Sequence, residues 1–300
     1  MSSAGFSGTH VAIVTPMRPG GEIDWQAWSV LVDFHLQNGT DGLVVGGTTG
    51  ESPTLTDAEL RELVQRAQQQ AAGRLKIVAG AGTNSTAVTV AKVREFSALG
   101  VDGVLLVTPA YNRPTQEGLF LHYEAAAAAS TVPVILYNVP GRTAVDLLPE
   151  TVARLAVLPR VVAIKEAVAS MERIRQLRAL CPDTFQILSG DDATVREAMS
   201  QGACGVISVT ANVAPALMSA MINAAGRGDL AVAARLDAKL AGLHDKLFVE
   251  ANPIPVKWAL ARMGLIDDAL RLPLTVLSAR YHGEVAAALR QADITLATAA

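Results

Sequence analysis

Eight short, nearly continuous apolar runs, each followed by a segment of helical spacing, constrain this chain more than any other feature. The runs lie at 10–15, 42–46, 75–80, 101–107, 132–137, 161–165, 185–189 and 205–210. They are rich in Val, Ile, Leu and Ala and do not alternate strictly with polar residues. That pattern belongs to strands covered on both faces, as in a parallel sheet. Several end in Gly, Pro, Asn or Thr, so the strands stop abruptly in loops.

The segments between them carry a helical stripe. Over 57–70, Leu60, Leu63, Val64 and Ala67 recur on one face. Thr56 is placed to cap that helix, and Glu59 completes a capping box. Further helices are predicted at Trp25–Gln37, 86–99, Gln116–Ala129, Pro149–Ala156, Met171–Leu180, 193–201 and 215–225. Strand then helix recurs at roughly 25–30 residues, the repeat of βα units. The α/β class and a closed (β/α)8 TIM barrel over residues 1–226 follow. An open doubly wound sheet is the alternative, but its GxGxxG turn is absent, and the first run leads into Thr15-Pro16-Met17. From 227 to 300 only helical patterns remain, at 229–250, 255–263 and 279–292. These predict a C-terminal helical extension packed on the barrel.

Composition narrows the function classes. Hydrophobic residues make up 50% of the 300, charged residues 18% and aromatics 4%. Such a chain is no disordered protein, and its interior must be filled by small aliphatic side chains. The formal net charge is −3, with no long basic run, so a nucleic-acid partner is not expected. Cys181 and Cys204 show no CxxC spacing, which points to a reduced, cytoplasmic setting. The first residues lack the pattern of a signal peptide, and no apolar run approaches the ~18 residues that cross a bilayer. His10, His35, His122, His244 and His282 are scattered without HExxH spacing, so no metal is expected. No GxSxG elbow and no P-loop occur.

In such barrels the chemistry lies at the carboxyl ends of the strands. The polar residues there are Thr48, Thr49, Glu51, Tyr111, Tyr137, Asn138, Lys165, Glu166, Ser189, Asp191, Asp192, Thr210 and Asn212. Lys165 is the sharpest, because it ends the apolar run Val161-Val162-Ala163-Ile164. Burying an ammonium without a partner is costly and favours the neutral amine, the form that Schiff-base chemistry needs. The competing structural role is an ion pair with a strand-end carboxylate such as Glu166. Tyr137 ends the preceding run and is either a proton carrier or a core tyrosine with a bonded hydroxyl. The turn Gly47-Thr48-Thr49-Gly50-Glu51-Ser52 lets backbone amides approach a carboxylate. Arg142, in a loop just past Tyr137, suits bidentate capture of a second carboxylate, although a solvated loop arginine is the commoner outcome. Asp191-Asp192 reads as a helix cap rather than an ion site.

Taken in order, these segments resemble the dihydrodipicolinate synthase family, in the pyruvate-dependent class I aldolase superfamily that also holds N-acetylneuraminate lyase. The resemblance runs from Val11-Ala12-Ile13-Val14-Thr15-Pro16 to Arg271-Leu272-Pro273-Leu274-Thr275. It takes in the Gly47 turn, Tyr111-Asn112-Arg113-Pro114, Tyr137-Asn138-Val139-Pro140-Gly141-Arg142-Thr143, Ile164-Lys165-Glu166-Ala167, Ser189-Gly190-Asp191-Asp192 and Asn252-Pro253-Ile254-Pro255-Val256-Lys257. Each piece is weak alone, whereas the ordered set is specific. The Arg142 loop and the Asn252–Lys257 segment favour the synthase branch over the sugar-acid lyases.

The resemblance implies roles. Lys165 forms the imine with pyruvate, and Tyr137 exchanges protons during imine and carbon–carbon bond formation. Thr48 relays protons between Tyr137 and Tyr111, and Tyr111 comes from a neighbouring subunit of a homotetramer. The Thr48 and Thr49 amides hold the pyruvate carboxylate, Arg142 holds that of L-aspartate 4-semialdehyde, and the Ile207 carbonyl faces the lysine. No external cofactor is implied. The product is 4-hydroxy-tetrahydrodipicolinate, on the diaminopimelate route to lysine. Two other readings fit less well: a pyruvate aldolase or lyase acting on a sugar acid or another hydroxy-oxo acid, and a non-catalytic barrel that binds pyruvate or a sugar acid. Ala110 stands where many members carry the first of two adjacent tyrosines. Asp57, Leu60 and Val88 stand where lysine-inhibited members tend to carry His, His and Glu, while Asn84 matches. Weak or absent inhibition by lysine is expected.

Overall fold

A computed structural model describes residues 5–297. The strands among them are β1 (Gly8–Ala12), β2 (Gly42–Val45), β3 (Lys76–Gly80), β4 (Gly103–Val107), β5 (Val134–Asn138), β6 (Val161–Glu166), β7 (Gln186–Ser189) and β8 (Gly205–Ser208). They pair in chain order as a closed barrel. The helices up to β7 are α1 (Trp25–Gln37), α2 (Asp57–Ala71), α3 (Thr86–Ala98), α4 (Gln116–Ala129), the single turn α5 (Pro140–Thr143), α6 (Pro149–Ala156) and α7 (Met171–Leu180). After β7 come α8 (Val195–Ser200), α9 (Pro215–Gly226), α10 (Leu230–Lys246), α11 (Ile254–Arg262) and α12 (His282–Gln291). The expected (β/α)8 barrel is therefore present.

The chain forms two compact units. One holds residues 5–8 and Lys76–Ile207, the other Thr9–Leu75 and residues 208–297. In the first, β3 to β7 and most of β8 run parallel, with Tyr137 opposite Lys165 and Asn138 opposite Glu166. Its strands bury Val78, Val104, Leu106, Ile135, Ile164 and Ile187, as the continuous apolar runs require. The Tyr123 hydroxyl of α4 reaches the Leu106 carbonyl at 3.2 Å, which satisfies a phenol in the core. The N-terminal Phe6 is buried here, and its N–H donates to the Gln186 side chain at 2.6 Å.

In the second unit, β1 pairs parallel to β2 with His10 opposite Gly42. The capping box before α2 forms as the sequence predicts: Thr56 Oγ1 accepts from the Glu59 N–H at 3.2 Å, and Glu59 Oε2 accepts from the Thr56 N–H at 2.8 Å. Gly46 turns the chain out of β2 with φ of +70°, and a Cβ there would lie 2.2 Å from Leu60 Cδ1. Only glycine meets both demands. The helices α9 to α12 belong to this same unit, with α10 packed on both α9 and α12.

Element ends depart from the sequence reading for identifiable reasons. β1 leaves the ladder at Ala12 because the Val14 N–H is taken by Asn212 Oδ1 at 3.1 Å. The Arg142 segment is not a loop but a helical turn: Pro140 starts it, and the N–H groups of Arg142 and Thr143 both bond the Val139 carbonyl. Asp229 caps α10 instead of belonging to it, accepting from the Val232 N–H at 3.2 Å. A 3-10 turn at Ala279–Tyr281 precedes α12.

Candidate active site

The end of β5 and the end of β6 place the two leading residues together. Tyr137 and Lys165 are register partners, and Lys165 Nζ stands 4.3 Å from the centroid of the Tyr137 ring. Side chains alternate along a strand, so the next pair, Asn138 and Glu166, projects to the opposite face. That second face is the one covered by α7, because Glu166 Oε2 lies 3.5 Å from Arg173 Nη1. Tyr137 and Lys165 thus share the face away from this helix. They are 7% and 5% exposed. A cation at Nζ gains from the ring beneath it.

This arrangement does not pair Lys165 with Glu166. Glu166 is turned away from Lys165 and is occupied elsewhere. Its carboxylate accepts from the Val168 N–H at 2.8 Å and from Asn138 Nδ2 at 3.1 Å. Burial pushes Glu166 up to about 7, against the opposing pull of these hydrogen bonds and of Arg173. Burial also raises Asp146, but Arg173 and Asn138 outweigh it and hold that carboxyl below its ordinary value.

Arg142 lies exposed on α5, four residues beyond the end of β5. Thr143 clamps that turn from within, its hydroxyl donating to the Val145 carbonyl at 3.0 Å while accepting from Thr108 at 3.1 Å. Ile207 is buried on β8. Tyr111 is not gathered into the site by its own chain. It is 92% exposed, with φ of +75°, a backbone region costly for a bulky residue. Next to it, Asn112 Nδ2 donates to the Asn84 carbonyl at 2.8 Å and Arg113 Nε to the Ala144 carbonyl at 3.2 Å.

In the other unit, the turn after β2 carries Thr48 and Thr49. The Gly50 and Glu51 N–H groups close on the Gly47 and Thr48 carbonyls at 3.1 Å each. Four side chains hold the turn from outside. Thr15 donates to the Gly50 carbonyl at 2.8 Å, and Asn252 donates to Thr49 Oγ1 at 3.0 Å. Lys257 Nζ meets Glu51 Oε1 at 2.5 Å, both side chains being 0% exposed. Arg271 donates its N–H to Glu51 Oε2 at 3.1 Å and its guanidinium to the Thr54 carbonyl at 2.7 Å and to Glu59. Burial lowers Lys257, and Glu51 opposes that shift. Glu51 sits at φ of +58°, so a non-glycine in the left-handed region is kept there by a buried cation.

Other sequence candidates have structural roles. Asn212 clamps β1, donating to the Ala12 carbonyl at 2.9 Å as well as accepting from Val14. Asp191 does not cap α8. Its carboxylate accepts from the Thr194 N–H and hydroxyl in the turn before it, and Thr194 holds the cap position. Sequence reasoning missed the work of Arg173, Asp146 and Lys257. The one available signal was a charged Lys257 among the apolar residues 254–261. Among the described residues no three His, Cys, Asp or Glu stand together as a metal site. No helix among them is long and apolar enough to cross a membrane.

Comparison with known proteins identifies the family. The model of the dihydrodipicolinate synthetase family matches residues 5–292. A 4-hydroxy-tetrahydrodipicolinate synthase from Methylococcus capsulatus is 52% identical over 289 residues, which cover 96% of this chain and 99% of the relative. The dihydrodipicolinate synthase of Acinetobacter baumannii, solved in complex with pyruvate, superposes with a TM-score of 0.95. It is 46% identical, over 97% of this chain and all of the other. A synthase variant described as the first monomeric one superposes at 0.94 with 42% identity, covering 97% of this chain and 98% of the other.

Proposed function

The chain belongs to the dihydrodipicolinate synthetase family, and from that membership we propose that it condenses pyruvate with L-aspartate 4-semialdehyde through an imine on Lys165. The product is 4-hydroxy-tetrahydrodipicolinate, on the diaminopimelate route to lysine. The observation that carries this reading is the pairing of Lys165 with Tyr137 at the ends of adjacent strands, shielded from solvent.

Lys165 Nζ adds to the pyruvate carbonyl and water leaves, giving a protonated imine. The imine is an electron sink that makes the pyruvate methyl acidic. Loss of a methyl proton gives the enamine, whose carbon attacks the aldehyde of the second substrate. The acceptor's amine then displaces Lys165 from the imine carbon and closes the ring, so the enzyme returns unchanged and no further cofactor is consumed. Tyr137 moves the protons in these steps, with Thr48 as relay. The Thr48 and Thr49 amides hold the pyruvate carboxylate, Arg142 holds the acceptor's, and the Ile207 carbonyl faces the lysine. Tyr111, exposed in its own chain, completes the relay in a neighbouring subunit of a homotetramer. The setting is cytoplasmic, which the two unpaired cysteines support; burial pushes the Cys181 thiol up to about 11, making it a poor nucleophile.

The test is a coupled assay in which a reductase consumes the product formed from pyruvate and aspartate semialdehyde. Consumption of both substrates is expected. Pyruvate capture without semialdehyde consumption would move the activity to another acceptor. For Tyr137→Phe, kcat falls on the order of 10²-fold or more. Steady-state kinetics checks this, and near-normal turnover removes Tyr137 as the proton carrier.

Regulation should also differ from that of lysine-inhibited relatives. Leu60 is buried against the Gly46 turn, and Asp57 and Val88 replace the other expected side chains. Lysine is expected to inhibit weakly or not at all. Inhibition in the millimolar range, with lysine bound at the subunit interface, would refute it.

A further inference from the structure

Behind the Tyr137–Lys165 pair lies a buried polar cluster that the reaction scheme does not use. It joins β5, β6, α7 and the segment 139–147 that carries Arg142. Asn138 is its centre. Its Nδ2 donates to Asp146 Oδ1 at 2.8 Å and to both Glu166 oxygens at 3.1 Å, and its Oδ1 accepts from the Leu147 N–H at 3.0 Å. No other orientation of the amide works, because carboxylates cannot donate and the Leu147 N–H cannot accept. The Arg142 segment leaves the sheet just after Asn138 and returns at Asp146 and Leu147, so one side chain ties both of its ends.

The orientation of Asn138 depends in turn on Glu166. That side chain is 0% exposed and takes hydrogen bonds from Asn138 and from the Val168 N–H. Only a carboxylate accepts at both oxygens while presenting no donor. Arg173 closes the cluster from α7, with its two terminal nitrogens on the Asp146 carboxylate at 3.0 and 2.6 Å and Nη1 on the Leu147 carbonyl at 3.2 Å.

We propose that Glu166 is a positioning residue for the acceptor substrate: through Asn138 it fixes the segment carrying Arg142, and so sets the binding of a carboxylate it never touches. The inference rests on the assignment of Arg142 to the acceptor. The charged groups facing Glu166 are Arg173 from α7 and Asp146 from the tied segment, with Glu150 of α6 acting on Arg173. Lys165 lies on the other face of β6. Protonating Glu166 turns one acceptor oxygen into a donor that faces the Asn138 amide, and at Oε1 the Val168 N–H as well. Because burial brings this carboxyl up to about 7, the acceptor's KM rises as pH falls through that region.

The test is steady-state kinetics of Glu166→Gln from acid to mildly alkaline pH, read beside borohydride trapping of pyruvate. The glutamine keeps the shape but sets an N–H against Asn138 or Val168. Pyruvate is expected to be trapped as in the parent enzyme. The KM for aspartate semialdehyde rises about tenfold, kcat and the pyruvate KM move less than about threefold, and the acid-side rise of the acceptor KM disappears. An unchanged acceptor KM with the parent's pH dependence overturns the proposal. So does a collapse of kcat at constant KM, which would place Glu166 in support of the lysine instead. Should Glu166→Gln fold poorly, Asp146→Asn, which is partly exposed, must show the same selective KM rise, and its absence is equally fatal. A parent enzyme that traps no pyruvate is a separate result, and it refutes the imine reading itself.

Discussion

Lys165→Ala is expected to abolish turnover, by on the order of 10⁴-fold or more. In the proposed reaction the electron sink next to the pyruvate methyl is the imine on Lys165, so without that amine there is nothing to make the methyl acidic. Lys257, the other deeply buried lysine, does not substitute: its ammonium is bound to Glu51 at 2.5 Å within its own unit. Lys165→Arg separates charge from nucleophilicity, because a guanidinium keeps the positive charge but does not give up its proton. It too is expected to be inactive. Measurable turnover in Lys165→Arg would mean that the cation, and not the amine, is what the site requires.

The largest expected effect on stability is at Lys257. Lys257→Met removes one half of a completely buried ion pair and leaves the Glu51 carboxylate with the Arg271 N–H as its remaining hydrogen-bond donor. Breaking a buried pair in this way costs about 3–5 kcal/mol, which lowers Tm by on the order of 10 °C in a chain of this size. Calorimetry of the single variant and of Lys257→Met combined with Glu51→Gln checks the cause. The double variant recovers part of the loss, because the stranded charge is gone. A Tm within about 2 °C of the parent's in the single variant would show that the pair carries little. Because Glu51 belongs to the turn of Thr48 and Thr49, the single variant also raises the pyruvate KM.

The sequence made the barrel and the lysine legible because both are local signals. Continuous aliphatic runs ending in polar residues mark covered strands, and Lys165 and Tyr137 end two consecutive ones. What stayed hidden depends on partners far apart along the chain. Lys257 and Glu51 are 206 positions apart, so no spacing rule links them. Glu166 was readable as an ionic partner of Lys165 because the two are neighbours in sequence. The period-2 alternation of a strand puts them on opposite faces, and Glu166 is turned toward Arg173 on α7. Arg142 read as a loop residue because Pro140 and Gly141 suggest a turn, yet the proline starts a helical turn that bonds back to Val139. The exposure of Tyr111 has no counterpart in composition at all.

A covalent intermediate on Lys165 can be trapped chemically. The protein is incubated with pyruvate and borohydride, and its intact mass and peptide masses are read. One reduced pyruvate per chain is predicted, on the peptide containing Lys165, and none on Lys165→Ala. A chain left unmodified, or an adduct that persists in Lys165→Ala, would show that no imine forms on Lys165.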